Sequence, residues 1–199
     1  MPKRYLIGVD EAGRGPLAGP VAVGAFAVRS GLVLRKFRGV KDSKRLTSQQ
    51  REQWFRVIQE YSDKGEIFYA VSFAKAETID ERGLTYSVYS AINRCLRRLE
   101  AFDRECKKAE VRLDGLLQAS GRYTDQRTII GGDEIEPIIA LASICAKVLR
   151  DRRMVKASKE FPEYGFERHK GYGTKSHYSA IKKYGLTPLH RRRFLKGIA

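Results

Sequence analysis

Three segments of this chain run from apolar residues into a carboxylate. Leu6-Ile-Gly-Val9 leads into Asp10 and Glu11, Glu110-Val-Arg-Leu113 into Asp114, and Arg127-Thr-Ile-Ile130 through two glycines into Asp133. Apolar runs of this length bounded by glycine read as strands, so each acid is expected where a strand ends. With these strands as neighbours in one sheet, four carboxylates meet at one rim, and their repulsion calls for cations. The three cysteines (Cys95, Cys106, Cys145) and three histidines show no metal-ligand spacing, so the donors are hard oxygens. Such donors select Mg²⁺ or Mn²⁺ rather than zinc. A pair of these ions about 3.5–4 Å apart activates water and stabilises the leaving oxygen in phosphodiester cleavage. One geometric condition applies: neighbours on a regular strand face opposite ways, so Asp10 and Glu11 share a site only where the strand ends or twists.

Directly after the first acids comes Gly13-Arg14-Gly15-Pro16, where bare backbone lets another chain come close. The spacing Gly13, Gly15, Gly19 nearly matches a dinucleotide fingerprint. The last interval is too long, Pro16 and Pro20 block a helix start, and two acids stand where a pyrophosphate would sit, so that reading is rejected. The chain carries 39 Lys and Arg against 23 Asp and Glu, a net charge of +16. From Lys147 to Ala199 there are fifteen basic and four acidic residues, interleaved with Tyr and Gly. That block calls for a polyanionic partner, nucleic acid before membrane. No apolar run approaches the roughly 20 residues needed to span a bilayer, and the cysteine usage and absence of a signal pattern suit a cytoplasmic protein.

The elements that must position these residues follow from periodicity. Tyr5–Val9, Val21–Val28 and Leu32–Phe37 read as three strands joined by short connections, an antiparallel meander. Thr47 with Gln50 forms a capping-box pattern for a helix bearing Trp54, Val57, Ile58 and Tyr61 on one face, with Gly65 placed to end it. Ile67–Phe73 reads as a strand, and Leu84–Leu99 as the clearest amphipathic helix. Pro137 to about Leu149 reads as a buried helix, and a short helix is expected near Ser176–Tyr184. Interleaved strands and helices give an α/β domain with a mixed sheet. Asp151 reads as an ion-pairing residue among Arg150, Arg152 and Arg153. The run Arg191–Arg193 reads as general phosphate attraction.

Taken together, the motifs resemble the bacterial-type ribonuclease HII family. The carrying residues are Gly8 to Val21, Asp42-Ser43-Lys44-Arg-Leu46-Thr47, Leu113-Asp114-Gly115, Gly132-Asp133, Ala142 to Asp151, and Tyr164 to Thr174. They cover nearly the whole chain. Two departures are Gly131, where the family usually has a basic residue, and Leu141, where alanine is common. The resemblance implies a ribonuclease-H-like fold, a central mixed sheet flanked by helices with a C-terminal helical extension. The implied division is a catalytic part over 1–155 and a basic, duplex-contacting extension over 156–199, within one compact unit.

The resemblance further implies endonucleolytic cleavage of RNA in RNA–DNA hybrids and incision 5′ of ribonucleotides embedded in duplex DNA, leaving 3′-hydroxyl and 5′-phosphate ends. Asp10, Glu11, Asp114 and Asp133 would be the catalytic, metal-binding carboxylates of a two-ion Mg²⁺ or Mn²⁺ site. Gly13, Arg14 and Gly15 would read the 2′-OH, Lys44 would hold a phosphate, and Tyr172 would stack near the sugar at the RNA–DNA junction. The implied protein is a monomer with no membrane partner. The alternative from a different class is a nucleic-acid-binding module with a degenerate site, which would keep the basic tail but need not keep all four acids.

Overall fold

The computed structural model describes residues 4–29, 34–37, 39–40 and 46–197. One mixed sheet has the order β3-β2-β1-β4-β5, from β1 (Leu6–Ala12), β2 (Val21–Val28), β3 (Ile67–Ala74), β4 (Glu110–Asp114) and β5 (Gln126–Ile129). β2 lies antiparallel between β1 and β3, whereas β4 runs parallel to both β1 and β5. The meander is therefore real, but its third strand is Ile67–Ala74 and not Leu32–Phe37. Arg35–Phe37 form a 3-10 turn, while residues 32–33 lie outside the described residues. Only Phe37 of that turn is buried, its ring edge-on to Phe26 at 5.6 Å. Two basic residues before a single anchoring ring make a plug for the sheet rather than a paired strand.

The helices are α1 (Ser48–Asp63), α2 (Ala76–Arg82), α3 (Leu84–Phe102), α4 (Pro137–Glu160) and α5 (Lys175–Tyr184). The capping box at Thr47 and Gln50 is present at the start of α1. The pattern for α4 predicts an end near Leu149, yet the helix continues to Glu160. Past Leu149 its buried residues are Arg150 and Met154, one charged and one apolar, so the apolar signal fades while the backbone keeps its bonds. The expected boundary after residue 155 falls inside this helix.

Each face of the sheet has its own core. Ile7, Val9, Val23 and Ala25 pack against α3, and Phe26 and Val28 against α4 and α1. A third, smaller core joins Leu17 and Ala18 to Met154, Tyr164, Phe166 and Ile181. α4 approaches the sheet over two glycines. A Cβ at Gly8 would stand 2.2 Å from the Ile138 carbonyl oxygen, and one at Gly24 2.2 Å from that of Ala142. Gly24→Ala is accordingly expected to push α4 off the sheet and to destabilise the protein by about 1–3 kcal/mol, read as a lower melting temperature. An unchanged melting temperature would contradict this packing.

Candidate active site

Because β1, β4 and β5 are parallel, their carboxyl ends open on one rim, the place where α/β sheets bind ligands. Pairing between β1 and β4 stops at Val9–Leu113, so Asp10, Glu11 and Asp114 lie where the two strands part. A cleft of about 540 Å³ at this point is lined by Asp10, Glu11, Asp114 and Asp133. Gly13 and Tyr172 also line it, as do Arg51, Ser143 and Lys147. Asp10 keeps the strand parity of Gly8, toward α4, where Ser143 hydrogen-bonds it. β1 does not end at these acids as expected but stays paired to β2 through Ala12. Glu11 falls on the opposite parity and borders the same cleft because β4 has left that side of β1.

Asp133 does not end a strand. β5 stops at Ile129, Gly131 turns the chain through the left-handed region at φ 65°, and Asp133 sits in a one-turn helix, Gly132–Ile135. Its backbone N–H donates to Asp114 Oδ1 at 3.3 Å, and its side chain is buried. A short polar edge strand cannot itself bury an acid, so the turn returns Asp133 to the rim.

The acids crowd one another. Burial first, then the charges of Glu11 and Asp114, pushes the Asp10 carboxyl well above the ordinary carboxylate range, against the Ser143 hydrogen bond. Burial also raises Glu11, against the attraction of Arg14, whose Nη1 lies 3.2 Å from Glu11 Oε1. The other Glu11 oxygen, Oε2, is buried with no hydrogen-bond partner. Among the described residues, no three acids, histidines or cysteines stand grouped as a preformed ion cage. The donor set nonetheless fits a hard divalent cation: carboxylates only, held against their repulsion, with one buried oxygen left without a donor.

The glycine-rich loop beside the acids is held from behind. Arg191 is 0% exposed, and its guanidinium donates to the carbonyls of Gly13 and Arg14 at 2.7 Å each and of Gly19 at 3.0 Å. Arg150, equally buried, donates to the carbonyls of Pro20 at 2.9 Å and Lys170 at 3.0 Å. The reading of Arg191 as phosphate attraction is thereby corrected. The fixed fork of a guanidinium suits several carbonyls at once, and Arg192 and Arg193 alone of that run stay exposed. Gly13 takes φ 91°, and a Cβ there would collide with Arg150 Nε at 1.9 Å. Gly15 is different: it is exposed, with open space where a Cβ would be. Leu17 N–H donates to the Gly171 carbonyl at 2.8 Å, so this loop is locked to the segment that carries Tyr172.

Comparison with known proteins settles the kinship. The Ribonuclease HII family model matches residues 7–196. A ribonuclease HII of Clostridioides difficile (strain 630) is 41% identical over 194 residues, covering 98% of this chain and 71% of that protein. The chain belongs to the ribonuclease HII family. It is an endonuclease of the ribonuclease H type, acting on RNA in RNA–DNA hybrids. The crystal structure of the ribonuclease H2 from Pyrococcus horikoshii OT3 superposes with a TM-score of 0.70 at 27% identity, covering 98% of this chain and 96% of that one. The crystal structure of Bst-RNase HIII in complex with Mn²⁺ shares the fold, with a TM-score of 0.73 at 19% identity over 96% of this chain and 67% of that one.

Within this ribonuclease HII the cleft holds more than the motifs named. Ser143 and Lys147 lie within the Ala142–Asp151 block that carries the resemblance but have no role assigned from sequence, and Arg51 lies in no motif, because each stands in a helix where polar residues are common. A local signal for Ser143 is its place in the otherwise apolar face of α4. Asp151 pairs with Lys147 Nζ at 2.9 Å and lies 3.9 Å from Arg150 Nη1, while Arg152 pairs with Glu52 instead. Tyr172 is 43% exposed, its ring centroid 5.8 Å from both Lys147 Nζ and Arg150 Cζ. Lys44 lies outside the described residues.

Proposed function

We propose that this ribonuclease HII cleaves hybrids and incises DNA 5′ of single embedded ribonucleotides, with Asp10, Glu11, Asp114 and Asp133 as its metal-binding carboxylates. The observation that carries the reading is that four acids, without His or Cys, line one cleft whose rim bears the Gly13–Gly15 loop and Tyr172. Two Mg²⁺ or Mn²⁺ ions bound there would supply an activated water and charge for the leaving oxygen, giving 3′-hydroxyl and 5′-phosphate ends. The Mn²⁺ in the related ribonuclease HIII structure is consistent with that choice. Asp10 and Glu11 carry the negative charge that draws the cations, and Arg14 keeps Glu11 oriented through its ion pair. Exposed Gly15 lets a minor-groove sugar approach bare backbone, where peptide groups both donate to and accept from a 2′-OH. Tyr172 presents a ring for the sugar at the junction, and Lys44 holds a phosphate.

The basic segment over 156–199 would grip the duplex through phosphates and so bind DNA and hybrid alike. No helix among the described residues is long and apolar enough to cross a membrane. We read the protein as a cytoplasmic monomer. The deciding experiment compares duplexes with one ribonucleotide, with an all-RNA strand and with DNA only, in Mg²⁺ and in Mn²⁺. Tyr172→Ala is expected to reduce incision at a lone ribonucleotide several-fold more than cleavage of a long hybrid, which offers many alternative registers. Equal losses on the two substrates would remove Tyr172 from the junction.

A further inference from the structure

All three histidines of the chain lie around the segment that carries Tyr172, and none lines the acidic cleft. His177 and His190 are buried at 0% and 2% exposure, and their Nε2 atoms meet at 3.1 Å. The ends of this arrangement fix its middle. Thr187 N–H points at His190 Nδ1 from 2.9 Å and Thr187 Oγ1 lies equally close; a ring nitrogen that faces an N–H carries no proton, so the hydroxyl is a second donor to it. Neutral His190 therefore holds its proton on Nε2 and donates it to His177 Nε2. His177 in turn has its proton on Nδ1, which meets the Tyr172 carbonyl at 2.9 Å, and a carbonyl can only accept.

His169 completes the arrangement from the other side. Its Nδ1 accepts from Gly171 N–H at 3.2 Å and its Nε2 meets the Tyr164 carbonyl at 2.8 Å. Its ring stacks on His177 with centroids 4.5 Å apart. The remaining backbone groups of this turn are also used: Tyr172 N–H donates to the His169 carbonyl at 2.9 Å, the Gly171 carbonyl accepts from Leu17 and Ala18, and the Tyr172 carbonyl takes Thr174 N–H at 2.9 Å on its other lone pair. Burial among Phe166, Tyr164 and one another disfavours the charged form of both rings, lowering His177 and pushing His190 down to about 4.

We infer that His190 and His177 form a one-directional hydrogen-bond relay, from Thr187 to the Tyr172 carbonyl, that sets the position of Tyr172, making both histidines positioning residues for substrate engagement. This rests on the reading that Tyr172 meets the sugar at the junction. The relay explains why aromatic, polarisable rings fill a site that aliphatic side chains would fill more cheaply: only a donor–acceptor ring passes direction from one backbone group to another.

The test uses the full chain and two substitutions of opposite character. His177→Asn keeps a donor near the Nδ1 position, whereas His177→Phe keeps the ring and loses the donor. With melting temperatures recorded for both, the Asn protein is expected to incise a lone ribonucleotide within about threefold of wild type and the Phe protein about tenfold or more below it. If the histidines only fill space, the ranking reverses, and that result overturns the relay. Long-range ¹H–¹⁵N spectra at neutral pH give a second readout that does not depend on activity. The expected pattern is a proton on Nδ1 of His177 and on Nε2 of His190 and His169. A proton on Nε2 of His177, or a charged His190, overturns it as well. The reading of Tyr172 fails separately, through a Tyr172→Ala protein with unchanged incision, which removes the positioning role even where the tautomers agree. With both parts correct, His177→Phe added to Tyr172→Ala produces no further loss.

Discussion

Asp10→Asn is expected to lower hydrolysis of an RNA–DNA hybrid by about a thousandfold or more while leaving duplex binding nearly intact. A bound cation stabilises transition-state charge by several kcal/mol, and each ~1.4 kcal/mol is a factor of ten in rate. Binding would survive because the basic residues proposed to grip phosphates lie elsewhere on the chain. The same substitution changes stability in a direction that tests the electrostatics. The folded-state pKa of Asp10 lies well above its unfolded value of about 3.9. The folded protein therefore holds more protons than the unfolded chain across that interval, and stability at this site falls as pH rises through it. An uncharged asparagine feels no such loss. The metal-free Asp10→Asn protein should melt above metal-free wild type at neutral pH, with the gap closing toward pH 4. Mg²⁺ should raise the melting temperature of wild type, since ligand at about 100 times its Kd adds ~2.7 kcal/mol, and should do so far less for the variant. Undiminished turnover, or an equal Mg²⁺ response in the two proteins, would remove Asp10 from the ion site.

Arg191→Ala carries the second large effect. It strips donors from the buried carbonyls of Gly13 and Gly19 and from the part-buried carbonyl of Arg14. Unpaired buried acceptors cost about 1–3 kcal/mol each, so a loss of at least ~3 kcal/mol is expected. For a chain of this size that corresponds to roughly 10 °C in melting temperature. Incision should fall at least about tenfold even where the protein stays folded, because small displacements of a positioning loop are expensive. Arg191→Lys recovers little, since a single ammonium cannot reproduce the planar fork. Arg192→Ala is the contrast: its side chain is exposed, so the expected change is a higher KM and a shallower salt dependence, with melting unmoved. Matching outcomes for Arg191 and Arg192 would refute the clamp.

Much of this protein was legible in its residues. The apolar runs before Asp10 and Asp114, the capping box at Thr47 and the stripe of α3 depend on local periodicity, and each stands where that periodicity points. The family signature likewise lies in contiguous blocks. What the chain alone did not determine depends on contacts between distant segments. Asp133 looked like a strand end because an apolar run precedes it, but Gly131 folds it back into a separate turn. Leu32–Phe37 has strand-like composition, while its described part supplies the Phe37 ring and a partly buried Leu34 to the core. Arg191 was one of three arginines in a row, and only the tertiary structure separates it from Arg192 and Arg193 by burying it under carbonyls that stand more than 170 positions away. Side-chain type decides which chemistry is available, and the packing of remote backbone decides which of several identical side chains performs it.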